Sequence, residues 1–244
     1  MAIIGLQGIR GGVGTTSVAA ALGWSLQFLG ESVLVVGAAH DNLLRLFFNV
    51  AFSRPEGWAR AMHDGEAWQH AAWRYTAHLD ILPFGQLTQA ESSDFLAQAE
   101  NIDRFIAALA ALKASGRYRW ILVDMPQGFN AYALRILEAL DHVITVARPD
   151  ANCHVRLHQQ PLPQGAHLLV NGFQVTSKLQ DDIWQLWLQS QKSIIPVVIH
   201  QDEAMTECAA AKQPLGEYQP QALASEEMMT LASWCLLNFA GGAT

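Results

Sequence analysis

No lysine precedes Lys113, and charged residues of both signs make up only 15% of the 244-residue chain, with a net charge of -7. That leaves no reservoir of cations to neutralise a run of nucleic-acid phosphates, so nucleic acid is excluded as a partner of the bare chain. Cysteine is scarce too: Cys153, Cys208 and Cys235 are odd in number and widely spaced. They suit reduced thiols in a cytoplasmic protein and exclude a disulfide framework. The opening "MAIIGLQG" lacks a basic leader region, and no stretch approaches ~18 uninterrupted apolar residues. Direct membrane insertion is therefore not expected.

Apolar residues, in contrast, are plentiful at 51%, enough for a sizeable core and one domain spanning residues 1–244. Short runs rich in Val, Ile and Leu fall at 2–7, 32–36, 79–84, 119–124, 142–147, 167–171 and 194–199. They are apolar on both faces and separated by helix-length segments, the pattern of buried parallel strands. The predicted class is α/β, a mostly parallel twisted sheet of about seven strands with helices on both faces. Helices are predicted over 16–29, 101–115, 131–140, 178–190 and 222–239. The stretch 41–78, with Trp58, Trp68 and Trp73, reads as short surface helices packed over a sheet edge.

Between the first strand and the first helix stands "IRGGVGTTS", residues 9–17. Gly11, Gly12 and Gly14 allow successive backbone N–H groups to point into one concavity, and the helix that follows adds its positive end. The usual phosphate-loop pattern is G-x-x-x-x-G-K-[ST]. Here Ile9 stands at the first glycine and Thr15 at the lysine, while Thr16 keeps the magnesium-binding hydroxyl and Ser17 adds a phosphate contact. Arg10 is the loop's one strong cation. A dinucleotide site is disfavoured, because G-x-G-x-x-G spacing is missing and the second strand ends in Gly37 and Ala38 with no ribose-binding acid.

"RGGVGTTS" is similar to the deviant Walker A loop of the MinD/ParA class of P-loop ATPases, K-G-G-x-G-K-[ST]-[ST], with Arg10 at the signature lysine. "VVGAAHDN" stands where the class has its acidic second-strand end, and "WILVDMPQG" matches its Walker B and switch II stretch through Asp124, Pro126 and Gly128. "LLVNGF" places Asn171 at the strand-end asparagine that reads adenine, and "IIPVVIHQDEA" supplies the Ile-Pro of the closing strand, Pro196. Longer segments such as "HDNLLRLFFNV", "ANCHVRLHQQ" and "CAAAKQPLGEY" resemble the BcsQ family, MinD-like proteins of bacterial cellulose synthesis and secretion.

The resemblance implies ATP and Mg2+ as cofactors, held by Arg10, Gly11, Gly12, Val13, Gly14, Thr15, Thr16, Ser17, Asn171 and Pro196. Thr16 and Asp124 would serve the metal, with Asp124 the one catalytic candidate. It further implies a homodimer sandwiching ATP, with Arg10 reaching the partner's phosphates through its planar, permanently charged fork. The implied partners are the small protein BcsR, BcsE and the synthase complex, which would recruit a cytoplasmic protein to the inner membrane. The class's second-strand aspartates correspond to Gly37 and Ala39; Asp41, two residues beyond Ala39, could reach in, but the strand register argues against it. With Thr15 in place of lysine, weak or absent hydrolysis is expected, each lost electrostatic contact being worth roughly 3 kcal/mol of barrier.

Other constellations carry less. Cys153, His154 and His158 put an i, i+4 histidine pair on a helix but lack a third ligand, and Trp184 with Trp187 reads as core. Arg148 and Arg156 suit a dimer face or a partner. The last helix offers Glu226 and Glu227 where a membrane-surface helix wants Lys or Arg, so packing onto the domain is expected.

Overall fold

A computed structural model describes residues 1–160 and 162–239; residues 161 and 240–244 of the expected domain lie outside them. The strands are β1 (Ala2–Gly8), β2 (Val33–Gly37), β3 (Trp73–Arg74), β4 (Leu79–Leu82), β5 (Trp120–Asp124), β6 (His142–Ala147), β7 (Ala166–Phe173) and β8 (Ile194–His200). They form one sheet of eight strands in the order β3-β4-β2-β5-β1-β6-β7-β8. Seven are mutually parallel, and β3 alone runs antiparallel, against β4. The sequence reading of about seven strands misses β3 because two residues are too few to show an alternation.

The helices are α1 (Thr15–Phe28), α2 (Trp58–Asp64), α3 (Gln89–Ala97), α4 (Ala99–Ser115), α5 (Ala131–Leu137), α6 (Ala151–Gln159), α7 (Lys178–Ser190), α8 (Glu203–Ala211), α9 (Leu215–Tyr218) and α10 (Leu223–Phe239). All five predicted helices are present; those added are short, and α3 is fixed by a Thr88–Glu91 capping box more than by periodicity. Every residue of β1, β2 and β5 is buried, as strands covered on both faces must be. On one face α1 and α10 pack together around Leu22, Leu26, Met228 and Leu231. On the other, Phe105 of α4 and Ile136 of α5 pack beneath Ile121 and Val123. The last helix thus packs on the domain, and among the described residues no helix is long and apolar enough to cross a membrane.

The 41–78 segment forms short helices, but Trp58 does not cover a sheet edge. It is 1% exposed, stacks on Phe105 at 4.0 Å and 21°, and its Nε1 donates to the Gly37 carbonyl at 2.8 Å. The indole fills the second core and at the same time holds the end of β2. Trp58→Ala is expected to cost roughly 3–5 kcal/mol, read as a lower midpoint in urea unfolding.

The crossing pattern brings three strand ends together. Asp124 lies beside both Leu6 and Gly37 in register, and Gly8 lies beside Val146. The loops after β1, β2 and β5 therefore open into one crevice at the carboxyl edge of the sheet, where ligands bind in open α/β folds.

Candidate nucleotide-binding site

The loop between β1 and α1 is built by backbone geometry. Gly12 and Gly14 have φ of 76° and 88°, a region that glycine alone enters freely. A side chain at Gly14 would also meet the Asn171 amide nitrogen at 2.5 Å. Ile9, in place of the usual first glycine, is fully buried with Val13, so the loop is pinned to the core at two points. Gly14 caps α1 without any side-chain acceptor, and the first turn carries no acidic residue. The N–H groups at the head of the helix are left for an anion, in the field of the helix dipole.

Two cavities flank this loop. One, of about 270 Å³, is lined by Gly11, Thr15, Thr16, Asp41, Met125 and Gln127. The other, of about 320 Å³, lies between the loop and the ends of β7 and β8, with Arg148, Asn171, His200, Gln201 and Thr206 in its wall.

Thr16, in the wall of the first cavity, donates its hydroxyl to Oδ1 of Asp124, which is buried behind that wall, at 3.3 Å. Burial pushes the Asp124 carboxyl up to about 8; the Thr16 hydroxyl works against that rise and the Asp41 charge adds to it. A hydroxyl beside one carboxylate fits magnesium, which takes few protein ligands and completes its shell with phosphate oxygens and water. The raised value also makes Asp124 costly to the metal-free fold. Its stabilising contribution is complete below the unfolded value near ~4 and is lost as pH rises through about 8. Asp124→Asn is therefore expected to stabilise the nucleotide-free chain by roughly 1–3 kcal/mol at pH 8.5, with little effect below pH ~4. Thermal unfolding across that pH range reads both, and the same variant should lose magnesium-dependent nucleotide binding.

Arg10 does not project freely. Its guanidinium pairs with Asp150, the N-cap of α6, and Nη1 donates to the Gly11 carbonyl at 2.7 Å. Burial alone would lower the guanidinium's pKa, but the Asp150 hydrogen bond and charge raise it overall. The cation is thus held at the loop in its own subunit.

Several site residues escaped the sequence reading. Strand register argues against Asp41, yet it lines the first cavity. The cause is a turn after β2, closed by Asn42 N–H donating to Ala39 O at 3.1 Å with Asn42 at φ 55°, which folds Asp41 back over the cleft. Gln7, fully buried, donates from Nε2 to the carbonyls of Pro126 and Gly128 at 3.0 and 2.8 Å, tying the loop after β5 to β1. Tyr132 on α5 donates to the Ala38 carbonyl at 2.9 Å, so with Trp58 two side chains fix successive carbonyls at the end of β2.

Pro196 requires a correction. It is exposed within β8, an edge strand that continues for four more residues, and it is absent from both cavity walls. The pairing with β7 is irregular there, a step of two residues from Leu168 to Val170 opposing a step of four from Ile194 to Val198. Edge irregularity is where a strand tolerates proline. His200, Gln201 and Asp202 hold the strand end instead. Asn171 lines the second cavity, its Nδ2 donating to the Val13 carbonyl at 2.7 Å. Arg148 lines the same cavity, whereas His154 accepts from Trp187 Nε1 at 3.1 Å and belongs to the packing of α6 against α7.

A sequence profile described as "Cellulose biosynthesis protein BcsQ" matches residues 1–236. The chain belongs to the BcsQ family. A curated family member from Salmonella typhimurium strain LT2 is 57% identical over 244 residues, 100% of this chain and 98% of the relative. Among solved structures, Aquifex aeolicus MinD superposes with a TM-score of 0.78 at 18% identity, covering 97% of each chain. Pyrococcus horikoshii MinD, solved in complex with Mg-ADP, superposes at 0.75 and 20% identity, covering 99% of each. This BcsQ chain is a cellulose biosynthesis protein with the fold of the MinD/ParA P-loop ATPases.

Proposed function

We propose that this BcsQ protein is a single nucleotide-binding domain that holds Mg-ATP between two copies of itself, and that the ATP serves as a clamp more than as fuel. The observation that carries the reading is the uncapped α1 terminus beneath a loop with two left-handed glycines, facing the Thr16–Asp124 pair. Backbone N–H groups from Gly11 to Ser17 and the hydroxyls of Thr15, Thr16 and Ser17 would grip the phosphates. Thr16 and Asp124 would hold magnesium, which when bound neutralises phosphate charge. Asn171 would face the base. The relative solved with Mg-ADP supports the ligand class.

Arg10 supplies the switch. Alone, it pairs with Asp150; opposite a second subunit's triphosphate it exchanges that carboxylate for phosphate oxygens. The dimer would then present one composite surface to BcsR, BcsE and the cellulose synthase complex, recruiting the protein to the inner membrane through its partners. Light scattering with and without ATP, run beside an assay of phosphate release, tests this. An ATP-dependent dimer with little release is expected; a monomer at saturating Mg-ATP would overturn the reading.

One observation favours a second reading, an active ATPase cycling between monomer and dimer. Asp41 faces the phosphate cavity close enough to act on Asp124, and a carboxylate there is suited to orient water. Phosphate release that tracks dimer dissociation, and falls in Asp41→Asn, would favour it.

A further inference from the structure

The residue at the closing end of β8 is a histidine held in one orientation by a carboxylate from another element. Glu227, on α10, accepts from the His200 backbone N–H at 2.8 Å and also engages His200 Nδ1. The Glu227 side chain is 14% exposed, and Phe173 packs edge-on to the imidazole at 5.5 Å. In the neutral ring, such two-point anchoring places the proton on Nδ1 and leaves Nε2 as a hydrogen-bond acceptor. The ring stands in the wall of the 320 Å³ cavity that continues from the loop at Gly12 and Gly14. Asn171 in the same wall gives one of its two amide N–H groups to the Val13 carbonyl, leaving the other and the amide oxygen for a ligand.

We infer that His200, oriented by Glu227, recognises the nucleoside end of the bound nucleotide by accepting a hydrogen bond from a donor on it, the 6-amine of adenine or a ribose hydroxyl. The inference rests on the nucleotide reading above and deepens it. His200 is the contacting residue and Glu227 the positioning one. Their linkage ties occupancy of the nucleoside cavity to α10, which packs on α1, the helix that begins at the phosphate loop.

The test compares ATP with inorganic tripolyphosphate, which fills a phosphate cradle and has no nucleoside. Binding of each, with magnesium, is measured on the full chain as wild type, His200→Ala, His200→Gln and Glu227→Gln. Losing one buried hydrogen bond to a ligand corresponds to about a tenfold weaker Kd. His200→Ala is expected to lose that factor for ATP and leave tripolyphosphate unchanged. Glu227→Gln should lose part of it, and His200→Gln, whose amide oxygen can take the place of Nε2, should recover part. ITP, lacking the 6-amine, separates the two donors: an unchanged His200→Ala effect with ITP assigns the ribose, a vanished one the amine. Equal ATP affinity in wild type and His200→Ala would overturn the inference. So would ATP and tripolyphosphate weakening together, which would mark a structural tie. If neither ligand binds the wild type, the nucleotide reading itself fails and this inference with it.

Discussion

Arg10→Ala is expected to leave nucleotide binding by the single subunit within a few-fold of wild type and to weaken ATP-dependent dimerisation by at least about a hundredfold. In one subunit the guanidinium is spent on Asp150 and the Gly11 carbonyl, so its loss removes no contact with that subunit's own ligand. Across a twofold interface two such side chains would be lost together. Truncating one partner of a buried, hydrogen-bonded charge pair costs roughly 2–5 kcal/mol. Analytical ultracentrifugation with ATP reads the dimer, and fluorescence-monitored titration reads the monomer site. Asp150→Asn should move the dimer equilibrium the other way, since it frees the guanidinium. Equal dimerisation by wild type and Arg10→Ala would show that the interface does not use this cation.

The second large effect concerns turnover. Thr15→Lys combined with Gly37→Asp is expected to raise steady-state phosphate release by roughly a hundredfold, because a preorganised charge aimed at the transferring group is worth about 3 kcal/mol. Space is available for the acid: a Cβ at Gly37 would meet the Phe84 backbone nitrogen at 3.4 Å and Leu44 at 3.5 Å, ordinary contact distances. The Trp58 hydrogen bond to the Gly37 carbonyl does not involve the side chain and should survive. Gly37→Asp alone, with no cation at position 15, should give much less. A double variant no faster than wild type would mean that the slow step lies outside these two positions.

How far the sequence carries is visible residue by residue. The loop at 9–17 could be read because strand, glycines and helix start are adjacent in the chain, and the seven apolar runs all became strands. β3 could not be, since two residues have no period. Pro196 misled because an Ile-Pro pair mimics the closing motif while the strand runs on to His200. Register argues against Asp41 only because counting residues along an extended strand ignores the turn at Asn42 that reverses the chain. Gln7 gives no signal, for a buried glutamine at a strand end acquires meaning only when the carbonyls of Pro126 and Gly128 arrive from a distant segment. The Arg10–Asp150 and His200–Glu227 pairs are likewise long-range contacts, 140 and 27 residues apart in sequence.

The most direct measurement is calorimetric titration of the wild-type chain with ATP in the presence and absence of magnesium. A cradle of backbone amides without an ammonium group is predicted to bind Mg-ATP saturably, and to bind far more weakly once Asp124 is replaced by Asn. Absence of any saturable binding at millimolar Mg-ATP, or binding indifferent to both magnesium and Asp124, would contradict the account.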